Sequence, residues 1–293
     1  MAGGEYCAIW LGPELPGDQR DDDSKSACFD SAPLTETLDI VGTITVRLRL
    51  SADKPRAMVA VRLCEVHPDG ASTRITYGVL NLCHRNGHEF PEGIVPGQVM
   101  DISLKLDDIA YRVAPGNRLR VAISSSYWPL VWPSPEPVAL TIHEGMVDLP
   151  IRRPGNGDET RFAEPEAAPQ WRTRDLRPSS TSRKVERDPV SGRVTLSIVD
   201  DFGEVLDLDH GLANGSVARE RWVIDPSDPL SAYGETHWTQ TLSRSGWSVR
   251  TETFTAMRSD AESFRLTGRI EAYEGDRMIF ERDFAEDIPR NHI

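Results

Sequence analysis

The chain has 293 residues, with 33 Lys and Arg against 46 Asp and Glu and a formal net charge of −13. A field of that sign repels phosphate backbones and anionic headgroups, so neither nucleic acid nor a membrane surface is an expected partner. No apolar run approaches the roughly 20 residues of a spanning helix, and Met1-Ala2-Gly3-Gly4-Glu5 has no basic or apolar leader region, so a cytoplasmic protein is expected.

Residues 1–32 are rich in Gly, Pro and Asp and read as an extended lead-in. From residue 33 to 152, apolar side chains fall on every second position: Ile44, Val46, Leu48, Leu50; Val59, Val61, Leu63; Ile102, Leu104, Leu106; Leu119, Val121, Ile123; Val138, Leu140, Ile142. Charged residues such as Arg47, Arg49, Arg62, Lys105 and Arg120 lie between them. This is the period of half-buried antiparallel strands, and two sheets packed face to face are the expected result. Pro68-Asp69-Gly70 presets a turn that folds the strand near 58–66 back on the next one. Leu106 to Tyr111 is the one candidate helical turn. Residues 153–182 shift to Pro, Gly, Glu and Arg without a period and read as a linker. Residues 183–293 return to strand patterns, and short connections such as Asp188–Gly192, Asp201-Phe202-Gly203 and Glu274-Gly275-Asp276 predict an antiparallel meander.

The residues that carry chemistry in other proteins lack their usual settings here. A serine nucleophile on an α/β scaffold needs a G-x-S-x-G elbow, which does not occur, and Ser124-Ser125-Ser126 reads as a strand end whose hydroxyls satisfy loop amides. His84 and His88 stand four apart, the spacing of ligands on a helix, but strand and turn signals flank them and argue against a metal site. Asp209-His210 are adjacent and cannot pair as a triad does. The run Asp18 to Asp23 lacks the calcium-loop spacing and reads as solvated. Cys7, Cys28, Cys64 and Cys83 form no C-x-x-C pair and read as buried reduced thiols. No catalytic residue, metal ligand or cofactor site is expected. Tyr127-Trp128-Pro129-Leu130-Val131-Trp132-Pro133 is a rigid aromatic loop that either caps the sandwich or stacks on a sugar or partner surface.

Taken in order, several blocks resemble the C-terminal domain of X-Pro dipeptidyl-peptidases and cocaine-esterase-like (CocE/NonD) acyl hydrolases. They are Gly3-Gly4, Asp18-Gln19-Arg20 with Asp22-Asp23, Pro33-Leu34, Ile40-Val41-Gly42, Val61-Arg62-Leu63, Val66 to Gly70, Gly78 to Leu82 with His84-Arg85, and Pro115 to Pro135. The resemblance covers residues 3–151, and residues 183–293 resemble a β-rich tail of longer members. It implies an all-β fold: a jelly-roll (galactose-binding-like) β-sandwich followed by a second antiparallel β-rich unit. It also implies a partner, the α/β-hydrolase domain that holds the family's serine, aspartate and histidine, present in cis in a parent protein or in trans. The chain is then expected to begin where that domain has ended, to be inactive alone, and to be compatible with a homo-oligomer. Position alone makes Tyr6 and Trp10 candidates to border a parent's cleft, and Tyr127, Trp128 and Trp132 are the aromatic candidates for cleft-bordering or binding. A stand-alone carbohydrate- or protein-binding jelly roll is the alternative.

Overall fold

A computed structural model describes residues 3–4, 15–153, 155 and 161–293. The described residues fall into two units, one built around Leu15–Arg161 and one around Phe162–Arg290. Both are all-β.

The first unit holds one short helix, α1 (Arg20–Asp23), and nine strands: β1 (Ala27–Asp30), β2 (Leu38–Gly42), β3 (Thr45–Ala52), β4 (Met58–Val66), β5 (Ser72–Asn81), β6 (Met100–Lys105), β7 (Ile109–Val113), β8 (Arg118–Ser124) and β9 (Leu140–Asp148). They form a four-stranded sheet β1-β8-β4-β5, a three-stranded sheet β6-β3-β9 and the pair β2-β7. Alternation decides which side chains face inward. Val46, Leu48 and Leu50 of β3 and Ile102 and Leu104 of β6 meet Val59, Val61 and Leu63 of β4 and Leu119 and Ile123 of β8 in one core. Burial of such side chains contributes about 1.5–3 kcal/mol each, the main force holding the two layers of this jelly-roll sandwich together. The turn expected at Pro68-Asp69-Gly70 joins β4 to β5, and Gly70 takes the positive φ the turn requires.

The helical turn expected at Leu106–Tyr111 is not formed. Ile109 to Val113 is strand β7, antiparallel to β2, because Ile109, Tyr111 and Val113 alternate with exposed Ala110 and Arg112.

The second unit contains β10 (Thr173–Arg177), β11 (Ser180–Arg187), β12 (Val194–Asp207), β13 (Leu212–Asp225), β14 (Asp228–Arg244), β15 (Trp247–Ser259), β16 (Ser263–Glu274) and β17 (Arg277–Pro289). From β12 to β17 each strand pairs with the next, which is the expected meander. Regular structure begins at Thr173, inside the stretch whose composition reads as linker. Asp201-Phe202-Gly203 is not a connection either. It is a bulge inside β12, where the register shifts between Asp201 and Glu204 and Gly203 adopts φ +79°.

Candidate functional site

Strand β4 is buried at every position from Met58 to Val66. Its inward residues belong to the core, so burial of Ala60, Arg62 and Cys64 on the other face means that the outer side of the sheet is covered as well. The cover is the segment that contains α1, followed by the aromatic loop.

Arg62, 2% exposed, is the centre of this outer layer. Its Nη1 donates to Gln19 Oε1 at 2.7 Å and its Nη2 to Ser26 Oγ at 3.0 Å, and it pairs with Asp23 Oδ1 at 3.0 Å. The other Asp23 oxygen accepts from Ser72 Oγ at 2.7 Å and from Arg120 Nη1 at 3.1 Å. Arg120 also forks onto Asp30 at 2.7 and 2.8 Å. Shared oxygens and paired charges make this buried polar set nearly complete, the condition under which such a set is tolerated. The acidic run is therefore not the solvated stretch expected: Asp23 is buried and clamps the lead-in to the sheet. Asp18 is also engaged, held down to about 2, chiefly by the side-chain hydrogen bond from Arg20.

The aromatic loop lies beside this cluster. Tyr127 is buried, and its ring meets Tyr77 of β5 edge-on with centroids 5.4 Å apart. Arg74 lies over the Tyr77 ring at 4.5 Å, donates to the Tyr127 hydroxyl, and donates to the Gly3 carbonyl at 2.6 Å. Burial pushes the Tyr127 hydroxyl pKa up, with Arg74 pulling it the other way. Trp128 and Trp132 are half-buried and meet edge to face at 5.2 Å and 76°. Three of the five expected site residues are thus brought into one loop. Tyr6 and Trp10 lie outside the described residues.

The remaining candidates resolve into local structure. Ser124 and Ser125 donate to the Ser126 and Val138 carbonyls, so the main-chain groups they satisfy are acceptors. His84 closes a single 3-10 turn that brings its ring within 5.1 Å of His88, with the two Nδ1 atoms 3.2 Å apart. The spacing expected to fail thus does join the two rings, but among the described residues no third His, Cys, Asp or Glu completes a metal-binding group. His210 pairs with Asp207 at 2.6 Å, not with its neighbour Asp209, and holds the Asp207 carboxyl down to about 2. Cys64 and Cys83 are buried, and burial pushes the Cys64 thiol up to about 12. Cys28 departs from the expectation: it is exposed on edge strand β1, its Sγ donating to the Asp23 carbonyl at 3.4 Å. Cys7 lies outside the described residues.

Sequence reasoning missed Arg62, Asp23 and Arg74. One signal was available: Met58-Val59-Ala60-Val61 and Leu63-Cys64 are apolar at both parities, the mark of a strand covered on both faces.

Comparison with known proteins places these features. Residues 5–180 match the family described as the X-Pro dipeptidyl-peptidase C-terminal non-catalytic domain. Cocaine esterase of Rhodococcus sp. (strain MB1 Bresler) is 27% identical over 120 residues, 40% of this chain and 21% of that protein. A protein of Mycobacterium bovis named as a serine esterase is 26% identical over 162 residues, 47% of this chain and 26% of its own length. The chain thus spans about a quarter or less of the curated relatives it matches. Among solved structures, an α-amino acid ester hydrolase shares 22% identity with a TM-score of 0.45 over 47% of this chain and 28% of that one. An aminopeptidase from a Thaumarchaeota archaeon shares 21% with a TM-score of 0.46 over 50% and 30%.

Proposed function

This chain belongs to the family of X-Pro dipeptidyl-peptidase C-terminal non-catalytic domains, and we propose that it works as the accessory β-sandwich of a serine hydrolase. An α/β-hydrolase domain, in cis or in trans, supplies the serine nucleophile, its base and the orienting acid. That domain hydrolyses a peptide or ester bond through an acyl-enzyme. The sandwich contributes no reacting group. It contributes a rigid wall, and rigidity at the border of a cleft is worth rate because small misplacements of a substrate are costly.

The family match over residues 5–180 carries this reading. The structure supports it through the outer face of β4, where the lead-in is fastened by Arg62 and Asp23 and the loop by Arg74 and Tyr127. Trp128 and Trp132 border the cleft in this reading, and Tyr6 and Trp10 take the same role from their place in the sequence. A sugar-stacking module needs a flat open ring face; the edge-to-face packing of Trp128 on Trp132 favours the accessory role. Among the described residues no helix is long and apolar enough to cross a membrane, and a cytoplasmic parent, alone or as a homo-oligomer, fits the proposal.

The test pairs the chain with an α/β-hydrolase domain taken from a related esterase, co-expressed and purified through a tag on one partner. The two co-purify, and a chromogenic ester or X-Pro substrate is hydrolysed by the pair and not by this chain. Hydrolysis by the chain alone, or a hydrolase domain that neither binds the chain nor gains activity from it, overturns the proposal.

A further inference from the structure

The two layers of the sandwich are not equally closed at their two sides. Strands β5 and β6 end the two sheets on one side, and β1 and β9 end them on the other. At the first side the layers are pinched together: Gly78 of β5 lies so close to β6 that a Cβ there would stand 2.8 Å from the Lys105 carbonyl oxygen and 3.0 Å from Leu106. At the second side they splay. Phe29 of β1 and Val121 and Ile123 of β8 face Val46 and Leu48 of β3 and Val147 of β9 across a crevice of about 320 Å³. These are inward-facing positions, yet Phe29 is 53% exposed, because the edge it sits on is open.

Gly145 is what keeps the crevice open from the β9 side. It stands opposite Leu48 on the inward face, and a Cβ added there would lie 3.1 Å from Leu48 Cδ2. Any larger side chain would fill the space that Phe29 and Val121 leave. The rim adds Met146, 57% exposed, with exposed His143 and Glu144. A second feature is polar: as edge strands, β1 and β9 each leave a row of main-chain N–H and C=O groups unpaired in the sheets of the described residues, and at Gly145 no side chain shields them.

We propose that this crevice is a binding site for a small aromatic molecule carrying one hydrogen-bonding group, of the phenol or indole class. A cavity of about 150 Å³ lined by such side chains holds a benzene ring, so about 320 Å³ accommodates a bicyclic ring or a substituted single ring. The ring lies between Phe29 and Leu48, and its N–H or O–H meets the bare main chain of β9. The site is separate from the outer-face cluster of Arg62 and from the Tyr127 loop, and it does not require a hydrolase partner.

The experiment titrates the full chain with 5-fluoroindole and follows its ¹⁹F resonance. Saturable binding is expected with a dissociation constant of about 1 mM or tighter, the affinity that roughly ten well-placed non-hydrogen atoms support. Gly145→Val fills the crevice and weakens binding by about tenfold or more. Phe29→Ala, at an exposed edge position, removes one wall and weakens binding several-fold without threatening the core. Met278→Ala, an exposed apolar residue of the other unit, leaves it unchanged. Circular dichroism confirms folding, and if Gly145→Val does not fold, Phe29→Ala answers the same question. A folded wild-type chain that shows no saturable shift overturns the proposal. So does wild-type affinity in Phe29→Ala.

Discussion

Replacing Arg62 by Met removes the guanidinium and keeps most of the apolar stem, so it isolates the charge. Asp23 then loses its pair at 3.0 Å while keeping Arg120 at 3.1 Å and Ser72 at 2.7 Å. Breaking a buried pair by removing one partner costs about 3–5 kcal/mol, and the two surviving partners place this case at the low end. The Gln19 amide oxygen, also buried, loses its donor for about 1 kcal/mol more. The expected loss is about 4 kcal/mol, or on the order of 10 °C in melting temperature for a unit of this size. Urea unfolding followed by circular dichroism measures the first quantity. Trypsin supplies a local readout, because Arg20 and Lys25 are exposed and are cut faster once the lead-in is released. Adding Asp23→Asn removes a buried charge left with only part of its compensation and recovers about 1–2 kcal/mol. A single variant within about 1 kcal/mol of wild type, or a double variant no better than the single, refutes the clamp.

Three further outcomes follow from the same geometry. Burial alone would raise the Glu65 pKa, but hydrogen bonds from the Tyr111 hydroxyl, the Asn117 amide and the Ala114 N–H outweigh it and leave it lowered. A depressed carboxyl stabilises above its unfolded pKa of about 4.3 and loses that contribution as pH falls through the folded value; the stability gap between wild type and Glu65→Gln is therefore widest near neutrality and narrows below about pH 4.3 in urea titrations. Gly203→Ala forces a side chain onto φ +79° with its Cβ 2.6 Å from the Arg177 carbonyl, and calorimetry shows a loss of at least about 1–3 kcal/mol. Tyr127→Phe deletes the acceptor for Arg74, which keeps the Gly3 carbonyl, and lowers stability by about 1 kcal/mol in urea unfolding.

What the sequence made legible was what alternation encodes. In β3 and β6, exposed Arg47, Arg49, Asp101 and Lys105 interleave with buried Leu48, Leu50, Ile102 and Leu104, so one face in water and one on the core follow directly. The same logic fails at β10 and β11. Their residues are mostly polar on both faces, with Leu176 and Val185 themselves exposed, because both strands lie along one edge of the sheet, and Thr173–Arg187 carries no period to find. Glycine misled at Asp201-Phe202-Gly203 because a positive φ serves a bulge as well as a turn. Asp23 and Arg62 were opaque for another reason. Local pattern assigns a charge to solvent, and only the tertiary approach of the lead-in to β4 supplies the partner that permits burial.

The two layers of the sandwich consequently present different exteriors. The sheet β6-β3-β9 shows a charged face, with Arg47, Arg49 and Glu144 exposed and Arg47 paired to Asp148. The sheet β1-β8-β4-β5 is covered over β4 and β8, where Ala60, Arg62, Cys64 and Ala122 are buried, while its edge strand β1 stays exposed. A domain that approaches over β4 meets Asp18, Arg20, Trp128 and Trp132 before it meets that strand. Substitutions on the strand would then act on docking only through those covering segments, whereas substitutions in the loop would act directly. That ordering gives the accessory role a structural signature: Trp132→Ala should weaken hydrolase binding out of proportion to its cost in folding, and Arg62→Met should weaken both together.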